Sequence, residues 1–378
     1  MPVAVTLSGA QVRAHRILAS GLARTVEAAA ALPVWDLGVQ DRDGSARLAF
    51  AARLTDPGAL PAIDDPAGSG ADVLAWSLRG SPHLHRRADL PRFAAALWPA
   101  DDSDAAARLS GDAARLQADG ADPLEAYAAV SDAMRAVITA PMVKGAASAA
   151  VTAAIPSGYS GFCRGCGSVH VREMLFRVAA LPAAIGALPD TKPIVLAPLA
   201  ATFPRPERQH GLGELVAAYY RAYGVGSPSD VATHVGTSAP NVKRELPDDL
   251  VPVTVDGARS QAPESVLDEL LGADLGAAAG ITRLIPPSDP LLQPRDRRVL
   301  AGERDQQRAL WPTLGLPGAV LAGGGIAGIW RTRLAGKTLT LTVTAWRRLG
   351  TAERAALAQE AQLVGSVRGA VRTSLVIS

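Results

Sequence analysis

The stretch LGELVAAYYRAYGVGSPSDVATHV, residues 212–235, followed at 251–257 by VPVTVDG, decides how this chain folds. Leu212, Leu215, Val216, Tyr219, Tyr220 and Tyr223 recur at helical spacing and fall on one face of a helix. Gly224 to Ser227 breaks that pattern, and Pro228 opens a second, shorter helical run to Val235. Apolar and polar residues then alternate through VPVTV until Asp256-Gly257 signals a turn. Helix, turn, helix and hairpin follow one another within about fifty residues, a spacing suited to a single supersecondary unit.

The same order is visible twice more towards the N-terminus. Ser8 is placed to cap a helix through Val12, His15, Leu18 and Leu22, a second helix is expected over 25–32, and helical character returns over 48–54 after the turn WDLGVQDRDG (35–44). VLAWSLRGSPHLH (73–85) alternates as a strand pair. Beyond a polar connector at 99–122, Val130, Met134, Val137 and Ile138 define a helix, 143–154 another, the glycine-rich PSGYSGFCRGCGSVHV (156–171) a hairpin, and 172–185 a packing helix. Helices followed by a β-hairpin are the parts of a winged helix. The last hundred residues differ: in PGAVLAGGGIAGIWRTRLAGKTLTLTVTAW (317–346) Leu339, Leu341 and Val343 alternate with threonines, which predicts an antiparallel meander before a final helix over 351–363. The expected fold is therefore α+β, with tandem winged-helix units at 1–100, 101–200 and 201–280 and a C-terminal antiparallel β module at 281–378.

Composition narrows the classes. In 378 residues the chain has 48% hydrophobic and 20% charged residues, which excludes intrinsic disorder, and 6 Trp, 5 Tyr and 5 Phe leave cores built mainly of Ala, Leu and Val. Thirty-eight basic against 36 acidic residues cancel, so any nucleic-acid surface must arise from local clusters such as RPER (205–208), RDRR (295–298) and WRTR (330–333). Two cysteines make no disulfide framework, and the start lacks the basic-then-apolar run of a secretory leader, so a cytoplasmic protein is expected. Apolar runs are everywhere interrupted by Arg, Asp, Gly or Pro, which argues against a membrane span.

Four phrases carry a resemblance: WSLRGSPHL (76–84), RAYGVGSPSDVA (221–232), IPPSDPLL (285–292) and GGGIAGIWRTR (323–333). In this order they resemble the signatures of the winged-helix DNA-binding family that contains the AlkZ-type and YcaQ-type DNA glycosylases. The resemblance implies a C-shaped stack of tandem winged helices, monomeric on double-stranded DNA, that removes bulky or crosslinking N7-alkylguanine as a monofunctional, cofactor-independent glycosylase in repair or genotoxin self-resistance. It also implies a catalytic Q-x-Q or Q-x-D motif just before LAFAARL (48–54). Gln40 fits either motif position: as the first it leaves Arg42 in the second, and as the second it leaves Gly38 in the first.

The chemistry of that reaction explains the interest of this turn. N7-alkylation makes the base a good leaving group, so the enzyme chiefly places a water and stabilises an oxocarbenium-like sugar. An amide such as Gln40 positions water without repelling the cationic adduct, and the carboxylate of Asp41 adds electrostatic stabilisation or general-base character. The alternative role for Gln40 and Asp41 is to cap the helix beginning near Ser45. Arg42 is expected on a backbone phosphate. The resemblance places Arg79 and His83 on the DNA side, whereas His85 is read as a packing residue. Cys163, Cys166 and His170 form C-x-x-C-x-x-x-H, three of the four ligands a structural zinc normally takes, and without a fourth no metal is expected. The competing functions are a non-catalytic winged-helix DNA-binding protein that sequesters lesions or regulates transcription, and a zinc-dependent module built on Cys163, Cys166 and His170.

Overall fold

Ser8 caps the first helix, Gly9–Ala19, through a reciprocal capping box: its hydroxyl accepts from the Gln11 N–H at 3.2 Å, and the Gln11 side chain accepts from the Ser8 N–H at 2.9 Å. This computed structural model describes residues 5–200 and 202–378; residues 1–4, part of the start read above, and Ala201 lie outside them. The chain forms two compact units, each discontinuous in sequence: Met1–Pro61, Ala217–Asp230 and Pro247–Ser378 make the first, and Ala62–Val216 with Val231–Leu246 the second. The architecture is mixed α+β, with sheets paired mainly antiparallel.

In the first unit the expected hairpin after residue 250 is present, Leu250–Val255 against Ala258–Pro263, and Val5–Leu7 adds to it in parallel. Leu7, Val12, Val253, Val255, Val266 and Leu270 fill the core beneath this small sheet. The C-terminal meander runs Arg283–Ile285, Gly318–Ala322, Gly325–Ala335 and Thr338–Ala345, each antiparallel to the next. Leu339, Leu341 and Val343 point into a core with Trp330, Leu357 and Val364, as the period of two required. The final helix, Thr351–Val367, packs on that core, and Arg372–Ile377 then adds a parallel strand beside Thr338–Ala345 that periodicity did not reveal. Gly318 is required where it stands, because a Cβ there would lie 2.3 Å from the Trp330 ring.

In the second unit Asp72–Trp76 and Pro82–Arg86 form the expected antiparallel hairpin. The sheet continues through Ile185–Ala187, Val195–Pro198 and Met142–Val143. Val130, Met134 and Ile138 are buried along and just past the helix Pro123–Val137, and the helix Lys144–Ala154 follows the turn at Pro141. The connector at 99–122 is helical, as Asp102–Leu109 and Gly111–Ala118. Of the stretch quoted first, both helices form, Leu212–Tyr223 and Pro228–Val235, and a short third, Ala239–Arg244, precedes the hairpin.

Two expected helices are corrected. Over 25–32 there is only a 3₁₀ turn, Ala29–Ala31, with Val26 bridged to Leu54: Pro33 holds Leu32 extended, and eight residues are too few to form a helix unaided. The helix expected over 172–185 spans only Glu173–Ala179, because Pro182 forbids its continuation and Ile185 enters the sheet.

Candidate active-site turn

The turn before LAFAARL is built by its own polar side chains. Gly38, Asp43 and Gly44 all have positive φ, so the chain reverses tightly between the strand Val39–Gln40 and the helix Ser45–Ala51. The Ser45 hydroxyl accepts from the Arg42 N–H at 2.8 Å and donates to the Gln40 carbonyl at 3.3 Å. Asp41 spans the turn: one carboxylate oxygen accepts from Gly44 N–H at 3.2 Å, the other from Ala46 N–H at 2.9 Å. These are donors that a helix start leaves without intrahelical partners, so Asp41 acts as a charged cap. Gln40 and Asp41 are half-buried and Arg42 is exposed. Gln40, Asp41 and Arg42 thus share one rigid turn in the first unit.

The helix this turn leads into is anchored from behind. Phe50 packs against Trp35 with ring centroids 4.6 Å apart. Two residues past the helix, Arg53 makes a bidentate pair with Asp289, both bonds 2.8 Å and both side chains 0% exposed. Arg53 also donates to the carbonyls of Ser20 and Ala49, and Asp289 accepts from Leu291 N–H at the start of a 3₁₀ turn. Asp289 is the acidic residue of the PPSDP phrase, whose role sequence reading did not assign. Its partner lies 236 positions away, and no local pattern pointed to Arg53. Pro33, Val34 and Leu37, just upstream, help line an apolar cleft of about 110 Å³ with Arg16, Tyr223 and Leu291; Gln40 and Asp41 do not border it.

Arg79 and His83 belong to the second unit. Arg79 sits in the turn of the Asp72–Arg86 hairpin with φ +56°, and its guanidinium donates to the His234 carbonyl. Gly236 makes room for this turn, since a Cβ there would lie 3.0 Å from the Arg79 backbone nitrogen. His83 is inside, 3% exposed, with Nδ1 2.9 Å from the Ser81 carbonyl. Burial, reinforced by the Arg79 charge, holds the His83 imidazole well below its ordinary pKa, so it is neutral at pH 7. His85 is fully buried against Phe93 and bonds Ser77 through Nε2 at 2.8 Å; burial pushes it down to about 3. In this position His83 supports the hairpin that carries Arg79.

A polar cluster that no sequence motif announced lies in the same unit. The buried Asp104 carboxylate accepts from Thr237 Oγ1 at 2.6 Å, Ser238 N–H at 2.8 Å, Arg108 at 2.8 Å and Asn241 at 3.2 Å. It ties the helix Asp102–Leu109 to the turn between Pro228–Val235 and Ala239–Arg244. Burial alone would raise the Asp104 carboxyl, but the Arg108 guanidinium, the Thr237 hydroxyl and the Ser238 N–H hold it below its usual range. Cys163, Cys166 and His170 do come together on the second unit's other hairpin, Ser160–Cys163 with Ser168–Val171. There the His170 imidazole and backbone N–H groups of the turn bring the Cys163 thiol down to about 7, while the hydrogen bond to Cys163, and then that residue's charge, raise Cys166.

This mixed α+β chain, with its capped and anchored helix Ser45–Ala51, matches one family of DNA glycosylases. Residues 34–367 match the family described as DNA glycosylase AlkZ-like, and the chain belongs to it. Its fold is also similar to that of the Streptomyces sahachiroi DNA glycosylase AlkZ, with a TM-score of 0.71 and 19% sequence identity over 99% of this chain and 100% of that one. No curated protein matches the chain. Among the described residues no helix is long and apolar enough to cross a membrane.

Proposed function

We propose that this DNA glycosylase hydrolyses the N-glycosidic bond of bulky or crosslinking N7-alkylguanine in duplex DNA, acting as a cytoplasmic monomer in repair or in self-resistance to an alkylating natural product. The observation that carries the reading is the Gln40–Asp41 turn: an amide and a carboxylate, both half-buried, with Asp41 held by backbone bonds, in the stretch to which the sequence resemblance assigns the catalytic motif. A rigid turn holds its groups in place at no further entropic cost when the sugar reaches its cationic transition state. Gln40 orients the attacking water, and Asp41 stabilises the oxocarbenium ion or takes the water's proton. The cationic adduct leaves as a neutral base, so the reaction needs no cofactor and no lyase step. Arg42, exposed beside them, contacts a phosphate. Arg79 does the same from its hairpin, with His83 holding that hairpin in shape. The helix, helix, helix, hairpin order over 212–263 supports a winged helix in that segment, and tandem units would let one chain follow a duplex without dimerising.

One observation favours a second reading. Both Asp41 oxygens serve as helix caps, and Arg42 or Gly38 replaces one member of the motif pair, which is what a scaffold kept for binding alone would tolerate. Incubating the protein with duplex oligonucleotide carrying one N7-alkylguanine, then heating in alkali, separates the two. Strand cleavage at the lesion beyond that of untreated duplex supports the glycosylase. Retention of the duplex in a gel shift with no cleavage product establishes the binder.

A further inference from the structure

The hairpin Ser160–Cys163/Ser168–Val171 is anchored at its base, where Val171 is buried and its N–H donates to Thr152 Oγ1 at 2.8 Å, but little holds its turn end. A two-stranded hairpin is marginal in water, and here the cross-strand pair on one face, Phe162 with Val169, is 67% and 61% exposed. The opposite face is different in kind. Cys163 pairs with Ser168, and Gly161 pairs with His170, so Cys163 and His170 share that face as diagonal neighbours. Gly161 contributes no side chain between them. Cys166 comes from the connecting turn, which closes by a Gly167 N–H bond to the Cys163 carbonyl at 2.9 Å, with Gly167 at φ +65°. The turn thereby carries Cys166 back over the face, and Cys163, Cys166 and His170 bring one ligand atom each to within 4.8 Å of one another.

From this geometry we propose that Cys163, Cys166 and His170 bind one zinc ion that clasps the hairpin. Ligand atoms around a tetrahedral zinc lie about 2.0–2.3 Å from the metal, and hence under 4 Å apart, which these side chains reach by small rotations. The His170 ring is already oriented as a ligand, because its Nδ1 lies 2.6 Å from the Val171 carbonyl and donates to it, which leaves the Nε2 lone pair for the metal. The cysteines bind as thiolates and His170 as the neutral imidazole, so uptake releases to solvent whatever protons these groups carry, and no electron changes hands. The fourth position belongs to water. Glu173, the nearby carboxylate, is committed to Lys144 and Arg177 at 2.6 Å each, and Cys163 and His170 border an open cleft of about 590 Å³ with room for a solvent ligand. The sequence offered only three ligands and so suggested no metal; the register shows that the three converge.

The test uses the full chain, untagged and purified without chelator. Elemental analysis is expected to give about one zinc per chain, as one such site requires, released by stoichiometric mercurial titration of the two thiols. After chelation, cobalt(II) should restore the intense visible bands of a tetrahedral ion and a thiolate charge-transfer band. C163S, C166S and H170A should each lose these bands while H210A keeps them, and circular dichroism checks that the helices of all four remain. Zinc-free protein with both thiols reduced and a weak octahedral cobalt spectrum would overturn the assignment. So would a Cys163–Cys166 disulfide in protein prepared under reducing, anaerobic conditions, or cobalt bands that survive in C163S.

Discussion

Asp41 is assigned two roles, capping and catalysis, and two substitutions separate them. Asp41→Ala removes the acceptors of the Gly44 and Ala46 N–H groups, bonded at 3.2 and 2.9 Å. Loss of an N-terminal cap costs about 0.5–2 kcal/mol, and loss of a negative charge at a helix start adds about 0.3–1 kcal/mol. The melting transition of this variant should therefore drop by the equivalent of about 1–3 kcal/mol. Asp41→Asn keeps one of the two oxygen acceptors but loses the charge, so its stability should fall by about 0.5–1.5 kcal/mol, less than that of Asp41→Ala. Neither loss empties the folded state of a chain with ordinary stability, so rates measured well below the melting temperature report chemistry. The assay is single-turnover release of an N7-alkylguanine from duplex oligonucleotide, read as alkali-labile strand breaks, with affinity measured in parallel. If the carboxylate acts on the sugar or the water, Asp41→Asn excises about 10²–10⁴-fold more slowly with near-normal affinity. An Asp41→Asn enzyme that matches wild type in rate leaves capping as the residue's whole role, and an Asp41→Ala protein with unchanged melting removes the capping argument instead.

Gln40→Ala should slow excision while leaving DNA affinity nearly intact; equal loss of binding and turnover would show that the amide contacts DNA in the ground state. Asp289→Asn strands the buried Arg53 charge and should destabilise the first unit by about 3–5 kcal/mol in denaturant titrations, whereas Arg53→Met combined with Asp289→Leu should regain most of it. A single variant within about 1 kcal/mol of wild type would contradict this. His85 is neutral when folded, with its pKa near 3 against an ordinary 6.5, so the unfolded chain binds its proton first. The stabilisation is complete above about pH 6.5 and is lost as pH falls towards 3, by up to about 1.4 kcal/mol per pH unit. His85→Gln should flatten that slope, and an unchanged slope would show that other groups set it.

What was legible in the sequence was local. The hairpin at 72–86 announced itself by alternation and a glycine turn, the helix Pro123–Val137 by spacing and a proline start, and the threonine ladder of 338–345 by its strict period of two. What escaped was decided at a distance. Arg372–Ile377 pairs with a strand some thirty residues earlier and alternates half-buried with exposed residues, so nothing local marks it as sheet. The candidate turn shows the same division. Its position was readable from the neighbouring LAFAARL phrase, but Asp41's bonds depend on the left-handed Asp43 and Gly44, a geometry that leaves no trace in composition. The charged residues buried around Asp104 and Asp289 were invisible because burial of a carboxylate is satisfied by partners up to 236 positions away.

The helix Ser45–Ala51 draws these strands together. Seven residues make about two turns, far short of what holds a helix in water, so its position is set by what grips its ends. At the start the grip is Asp41. At the finish it is Arg53, which reaches the carbonyls of Ser20 and Ala49 and the Asp289 carboxylate at once. A fully buried ion pair is a poor means of gaining stability, because removing both charges from water costs nearly what their attraction returns. Its bidentate geometry does fix direction: two parallel bonds from a planar guanidinium define an orientation that apolar contacts leave loose. The catalysis proposed for Gln40 and Asp41 would depend on that orientation, since displacing the water by one ångström costs about a hundredfold in rate. The PPSDP aspartate therefore fixes, through Arg53, the far end of the helix that follows a turn some 250 positions before it.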